Sequence, residues 1–129
     1  MKKHTALLAS GLMALSFSYS ALAEYAGELD QPTALSRIKQ GTIFVLDVRS
    51  PQEYAQGHVP KATNVPHSDI EDHLDMLNLH KDEDILIYCK SGRRAEMAEE
   101  KLAAAGFKNV YHLKGDMKGW EASGMMIER

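Results

Sequence analysis

Apolar runs of strand length alternate along this chain with segments whose apolar residues recur at helical spacing. Residues 42–48 and 84–89 are largely apolar, with little polar alternation, which is typical of strands buried on both faces of a parallel sheet. Shorter strands are predicted at residues 62–65 and 110–113. Strands that alternate with helices predict an α/β fold, with helices on both faces of the sheet.

Residues with capping or helix-breaking chemistry indicate where most of the helices begin and end. The first predicted helix runs to residue 40, and the others cover residues 50 or 51 to 56, 94–105 and 116–122. Asp30 and Pro32 have the chemistry of a helix start, and Gly41 and Gly106 follow predicted helix ends. The preceding residues, 24–30, are expected to form a short, loosely ordered lead-in.

One more helix is predicted in the middle of the chain. Its apolar residues Ile70, Leu74 and Leu77 fall at helical spacing. Ser68 or Asp69 is expected to cap its first turn, because both side chains can accept hydrogen bonds from free backbone N–H groups.

The first residues have the three-part pattern of a secretory signal peptide. Lys2 and Lys3 precede an apolar run over residues 6–17, and small residues follow at Ala21 and Ala23. We expect cleavage after Ala23, export of the chain and a single mature domain over residues 24–129. A membrane anchor is the alternative, but the apolar run is shorter than the roughly 20 residues that span a bilayer.

Charge and cysteine content narrow the possible functions. The formal net charge is −3, and no run of basic residues predicts a nucleic-acid surface. Cys89 is the single cysteine, so it cannot form an internal disulfide in the oxidising space to which the signal directs the chain. Cys89 is therefore either a small buried core residue or a nucleophile.

The residues after Cys89 favour the nucleophile. Cys89 ends a predicted strand, where α/β proteins bind ligands, and a Gly92-containing loop then leads into a helix. Free N–H groups at a helix start, together with Lys90, Arg93 and Arg94, stabilise an anion, so we expect a thiolate and an anionic substrate. The alternative is an inert core cysteine beside solvated basic residues.

Three motifs resemble the rhodanese family, in the family's usual order. The active-site loop matches first, as Cys89, Lys90, Ser91, Gly92, Arg93 and Arg94. Residues 46–49, 53–54, 57–59 and 62–66 look like the family's first signature, and residues 113–115 with Trp120 are similar to its closing stretch. The resemblance covers roughly residues 35–125 and implies a five-stranded parallel sheet flanked by helices.

The resemblance also implies a reaction. Cys89 would take a sulfane sulfur from thiosulfate or a related anionic donor, release sulfite, and hold the sulfur as a persulfide cradled by backbone N–H groups of residues 90–94. Cyanide or a thiol, including the thiol of a partner protein, would then accept the sulfur. The secreted single-domain form resembles periplasmic thiosulfate sulfurtransferases of Gram-negative bacteria, so a periplasmic enzyme is expected.

Two alternative functions remain open from the sequence. The same pocket could carry sulfur or hold an anion without turnover, as a binding module does. Rhodanese-like phosphatases and arsenate reductases resemble this fold, but their loop is one residue longer than the segment from Cys89 to Arg94, which favours sulfur over phosphate.

Other residues receive supporting or structural interpretations. In the family, Asp47 and Arg49 lie near the active loop, so Arg49 either steers the anion or forms a structural ion pair with Asp47. Glu53 and His58 resemble positions that brace the fold. The other histidines lack the spacing of a zinc site, so no metal and no cofactor are expected: His67, His73, His80 and His112.

Two residues depart from the family pattern. Lys61 and Asp116 stand where the family usually has glycine. Local differences are therefore expected in both turns, whereas neither residue is expected to touch the loop that begins at Cys89.

Overall fold

The computed structural model describes residues 26–129. The expected signal peptide and its cleavage point after Ala23 lie outside the described residues. Within the described range, no helix combines the length and the apolar character needed to cross a bilayer.

Five parallel strands form one sheet in the order β1-β5-β4-β2-β3. The strands are β1 (Gly27–Leu29), β2 (Phe44–Asp47), β3 (Thr63–Asn64), β4 (Ile85–Tyr88) and β5 (Val110–Leu113). The central strand β4 lies between β2 and β5, and all four of its residues are buried. The expected five-stranded parallel sheet is therefore confirmed.

Five helices connect or follow these strands. They are α1 (Gln31–Gln40), α2 (Pro51–Gln56), α3 (Leu74–Leu77), α4 (Arg93–Ala104) and α5 (Asp116–Ala122). Short 3₁₀ turns at His67–Asp69, Glu71–His73 and Asn78–His80 flank α3. The helix boundaries predicted from capping residues agree with the structure to within about one residue.

The caps follow from local chemistry. The Asp30 carboxylate accepts a hydrogen bond from Thr33 N at 2.9 Å, and Gly41 ends α1 in a left-handed conformation with φ 72°. At α2, Ser50 and Glu53 form a reciprocal capping box. Both helices are thus fixed at their starts before tertiary packing contributes.

Two predictions about local structure are wrong. Residues 27–29 are not a loose lead-in but an edge strand, because Glu28 pairs with His112 of β5 in parallel register. The helix predicted from Ile70 breaks into 3₁₀ turns around a single α-turn, and neither Ser68 nor Asp69 caps it. Ile70 and Leu77 are nevertheless buried, so the apolar positions were recognised although the backbone type was not.

Two core clusters cover the faces of the sheet. Along β4, Ile85 and Ile87 face one cluster, with α4, whereas Leu86 and Tyr88 face the other, with α1 and α5. Cys89 continues the first set and lies on the α4 side. The central strand therefore places Cys89 at the carboxyl edge of the sheet, near the start of helix α4.

Candidate active site

Cys89 lies at the end of β4, where the chain turns into α4. Its side chain is buried, with 1% of the residue exposed. The Gly92 N–H donates a hydrogen bond to Cys89 Sγ at 3.0 Å. The loop therefore folds back over the sulfur and directs a main-chain donor at it, as the sequence predicted for an anionic sulfur atom.

Gly92 is the residue that makes this turn possible. It is buried, its φ is 117°, and a Cβ added there would lie 3.2 Å from Asp116 Oδ2. Helix α4 begins at the next residue and has no side-chain hydrogen bond at its N-cap. Its first-turn N–H groups and the positive end of its dipole therefore face the loop.

The basic residues of the loop have different surroundings. Lys90, Ser91 and Arg93 are exposed, and the last two line a groove of about 520 Å³ that also contains Glu96 and Met97. Arg93 and Lys90 can therefore meet a dissolved anion, whereas the sulfur itself lies beneath the loop.

Arg94 is held by an ion pair with helix α2. Its guanidinium donates to both carboxylate oxygens of Glu53, at 2.7 and 3.1 Å. The hydrogen bond from Arg94 lowers the pKa of Glu53 to about 2. The same bond raises the pKa of Arg94, and Cys89 makes a smaller contribution in the same direction. Arg94 is thus fixed by Glu53, and its charge favours a negatively charged Cys89.

Asp47 and Arg49 form a buried ion pair at the end of β2. Arg49 Nη2 lies 2.7 Å from Asp47 Oδ2 and also donates to the Gly57 carbonyl at 2.7 Å. The Tyr88 hydroxyl donates to the same Asp47 oxygen at 2.6 Å, and burial followed by the Asp47 charge raises the pKa of Tyr88. Asp47 thus balances the charge of Arg49 at the end of β2, next to strand β4, which leads to Cys89.

Glu53 and His58 both make contacts with neighbouring side chains or backbone groups. Glu53 belongs to the α2 capping box and binds Arg94. The His58 ring stacks on Tyr54 at 3.9 Å between centroids, and its Nδ1 lies 3.0 Å from the Val59 carbonyl. In residues 26–129 no group of three or more His, Cys, Asp and Glu side chains is arranged to hold a metal ion.

The turn between β5 and α5 fixes the backbone of Cys89, which the sequence did not predict. Asp116 Oδ1 accepts a hydrogen bond from Cys89 N at 3.1 Å. The first free N–H groups of α5, on Met117 and Lys118, donate to the carbonyls of Cys89 and Lys90 at 2.9 and 3.0 Å. The expectation that Asp116 does not touch the loop is therefore wrong.

Lys61 and Asp116 adopt the backbone conformation that glycine would allow. Their φ angles are 65° and 54°, and they are the residues other than glycine with positive φ in the part of the chain that the structure describes. These turns keep a glycine-type backbone and accept strain of roughly 1–2 kcal/mol per residue. At Asp116, the side chain uses this position to reach the Cys89 amide.

His112 lies behind Asp116 and has carboxylates at both ring nitrogens. Nδ1 is 2.6 Å from Glu99 Oε2, and Nε2 is 2.9 Å from Asp116 Oδ1. Burial alone would lower the pKa of His112, but the hydrogen bonds to Asp116 and then Glu99 outweigh it and raise the pKa to about 10. Because the unperturbed value is 6.5, this stabilisation is complete below about pH 6.5 and is lost as the pH rises toward 10.

Comparison with known proteins agrees with the fold and the loop. The profile of the rhodanese-like domain matches residues 30–123. A sulfurtransferase of Allochromatium vinosum is 33% identical over 101 residues, which cover 78% of this chain and 92% of that protein. A tRNA uridine(34) hydroxylase of Pectobacterium carotovorum is 34% identical over 119 residues, which cover 89% of this chain but 33% of the hydroxylase.

A solved structure gives the same result for the fold. The crystal structure of a rhodanese-related protein from Thermoplasma volcanium aligns with a TM-score of 0.69 at 26% identity, and covers 78% of this chain and 96% of that one. This chain spans less than half the length of two of the curated relatives that it matches. By sequence, sheet order and structural alignment, the chain belongs to the family of rhodanese-like domains.

Proposed function

We propose that this chain is a sulfurtransferase that moves a sulfane sulfur from thiosulfate, or a related anionic donor, to cyanide or a thiol. The observation that carries the proposal is the hydrogen bond from Gly92 N–H to Cys89 Sγ at 3.0 Å, at the end of the central strand and the start of α4. This arrangement stabilises a negatively charged sulfur, which both the attacking thiolate and the persulfide require.

In the first step, the Cys89 thiolate attacks the outer sulfur of thiosulfate. A bond forms between Cys89 Sγ and that sulfur, the sulfur–sulfur bond of thiosulfate breaks, and its electron pair leaves with sulfite. The product is an anionic persulfide on Cys89, so the total charge is unchanged. The exposed cations Lys90 and Arg93 favour the approach of the dianionic donor.

In the second step, the acceptor attacks the outer sulfur of the persulfide. With cyanide, a carbon–sulfur bond forms, the electron pair of the persulfide bond returns to Cys89, and thiocyanate leaves. The thiolate is then ready for another cycle. No cofactor takes part in this proposed scheme.

Turnover with thiosulfate and cyanide tests the proposal. The mature protein is expected to release sulfite and thiocyanate in equal amounts, and Cys89→Ser is expected to release neither. Release of sulfite by the intact protein, in one equivalent and without thiocyanate, would indicate a sulfur carrier instead. Burial of the Cys89 side chain is the observation that favours this second candidate, because an acceptor must pass the loop.

We also propose that the mature chain works in the periplasm. The basic start, the apolar run and the small residues before Glu24 support this location. When the full chain is expressed in a Gram-negative host, the periplasmic fraction is expected to contain protein whose N-terminal sequence begins at Glu24. Protein that stays in the cytoplasm and keeps Met1 would contradict this proposal.

A further inference from the structure

A buried chain of hydrogen bonds connects helix α4, strand β5 and helix α5 to the backbone of Cys89. Glu99 of α4 lies 2.6 Å from His112 Nδ1. His112 Nε2 lies 2.9 and 3.0 Å from the two oxygens of Asp116, and Asp116 accepts from Cys89 N at 3.1 Å. His112 is 8% exposed and Asp116 is 4% exposed, so the chain is largely shielded from water.

The two carboxylate contacts indicate a ring that is protonated at both nitrogens. An ionised carboxylate can only accept hydrogen bonds, and neutral histidine has a single N–H donor. Both nitrogens of His112 face carboxylate oxygens within hydrogen-bond distance, so with both carboxylates ionised each nitrogen needs a proton for the two contacts to form. The raised pKa of His112 agrees with this protonated ring.

A protonated ring balances the negative charge that Asp116 places beside the loop. The Asp116 carboxylate lies against the loop, since a Cβ at Gly92 would be 3.2 Å from its Oδ2. The Gly92 amide is also the donor to Cys89 Sγ. An unbalanced negative charge at this place would oppose a thiolate or persulfide, because a like charge nearby disfavours the charged form.

We propose that His112 is a positioning residue whose positive ring neutralises Asp116, which lets Asp116 hold the Cys89 backbone without repelling a negatively charged sulfur. Besides Asp116, the ring faces Glu99 on α4, and its register partner on β1 is Glu28. Both are acidic, so His112 supplies the positive charge within this network of hydrogen bonds. The role of His112 in sulfur transfer rests on the proposed function, but its effect on the ionisation of Cys89 can be measured without turnover.

The thiolate absorbance of Cys89 tests the inference directly. Cys89 is the single cysteine, so subtracting the ultraviolet spectrum of Cys89→Ser at each pH isolates its thiolate. In His112→Gln the ring charge is lost while a side-chain donor remains. The pH midpoint of the thiolate signal is expected to rise by about one unit, the effect of a nearby uncompensated carboxylate.

A second change is expected to reverse the effect. In His112→Gln with Asp116→Asn, the amide oxygen can still accept from Cys89 N but carries no charge, so the midpoint should return toward that of the original protein. The matched control is His73→Gln, because His73 is exposed and its ring bonds to the Asp69 carbonyl. This control should leave the midpoint unchanged.

A measurement on the unaltered protein covers the case in which His112→Gln fails to fold. Nitrogen NMR of His112 is expected to show both ring nitrogens protonated well above neutral pH. A ring that loses its proton near its ordinary value of 6.5 would overturn the inference. So would a folded His112→Gln whose thiolate midpoint is unchanged, since the network would then be structural alone.

These readouts also separate this inference from the proposed function. If the protein shows no sulfur transfer but its thiolate midpoint rises in His112→Gln and returns in the double variant, the proposed function fails and the role of His112 stands. If transfer occurs but the midpoint does not move, the function stands and the role of His112 is rejected.

Discussion

Gly92→Ala is expected to lower the rate of sulfur loading by about a hundredfold, the loss that a displacement of roughly 1 Å at a reacting group can cause. Gly92 has φ 117°, and an added Cβ would lie 3.2 Å from Asp116 Oδ2 and 3.7 Å from His112 Nε2. The 3.2 Å contact asks for a shift of a few tenths of an ångström, and alanine is also strained at φ 117°, so we expect the loop to relax and to move the Gly92 N–H away from Cys89 Sγ. Stopped-flow release of sulfite from thiosulfate measures the loading rate.

Gly41→Ala is the matched control for backbone strain. Gly41 also has a positive φ, of 72°, but nothing lies within 4 Å of an added Cβ. This variant should lose about 1–2 kcal/mol in the free energy of unfolding and keep its loading rate. If Gly92→Ala loaded sulfur as fast as Gly41→Ala, the position of the Gly92 amide would not matter for the reaction.

Arg94→Ala is expected to reduce sulfur loading by at least about tenfold, equivalent to about 1.4 kcal/mol in the activation free energy. Both oxygens of Glu53 hold Arg94 in place, and Cys89 contributes to the raised pKa of Arg94. Removing it takes away a positive charge beside the attacking sulfur. The pair is part-exposed, so the loss in the free energy of unfolding should stay near 1 kcal/mol or below.

Arg37→Ala provides the comparison for a lost ion pair. Arg37 binds Asp84 at 2.9 Å, and the two side chains are 26% and 30% exposed, close to the values for Arg94 and Glu53. Chemical denaturation and loading rates are measured on both variants. Arg37→Ala should show a similar small loss of stability with no change in loading, whereas a parallel decline of loading and stability in Arg94→Ala would make Arg94 structural.

The sequence predicted the parts of this fold that local chemistry determines. The cap residues Asp30 and Gly41 bind backbone groups within four residues, so their roles follow from neighbours in the chain. The apolar run at β4 predicted a buried central strand, and its alternation places Cys89 on the α4 side. The loop motif predicted that backbone N–H groups of residues 90–94 surround the sulfur, and of these the Gly92 N–H donates to Cys89 Sγ.

The parts that were missed depend on residues distant in sequence. Strand β1 has three residues and forms because it pairs with β5, more than eighty positions later. Asp116 reaches Cys89 N across 27 positions, and although it stands where the family usually has glycine, nothing in the local sequence indicated this contact. His112 looked isolated because Glu99 lies on a neighbouring helix. Only tertiary packing brings these groups together.

The most direct test of the central claim is the intact mass of the mature protein after incubation with thiosulfate. The account predicts a gain of one sulfur atom per chain, which is absent in Cys89→Ser and disappears when cyanide is added. A folded protein that keeps its original mass under these conditions would contradict the claim that Cys89 accepts sulfur beneath the Gly92 amide.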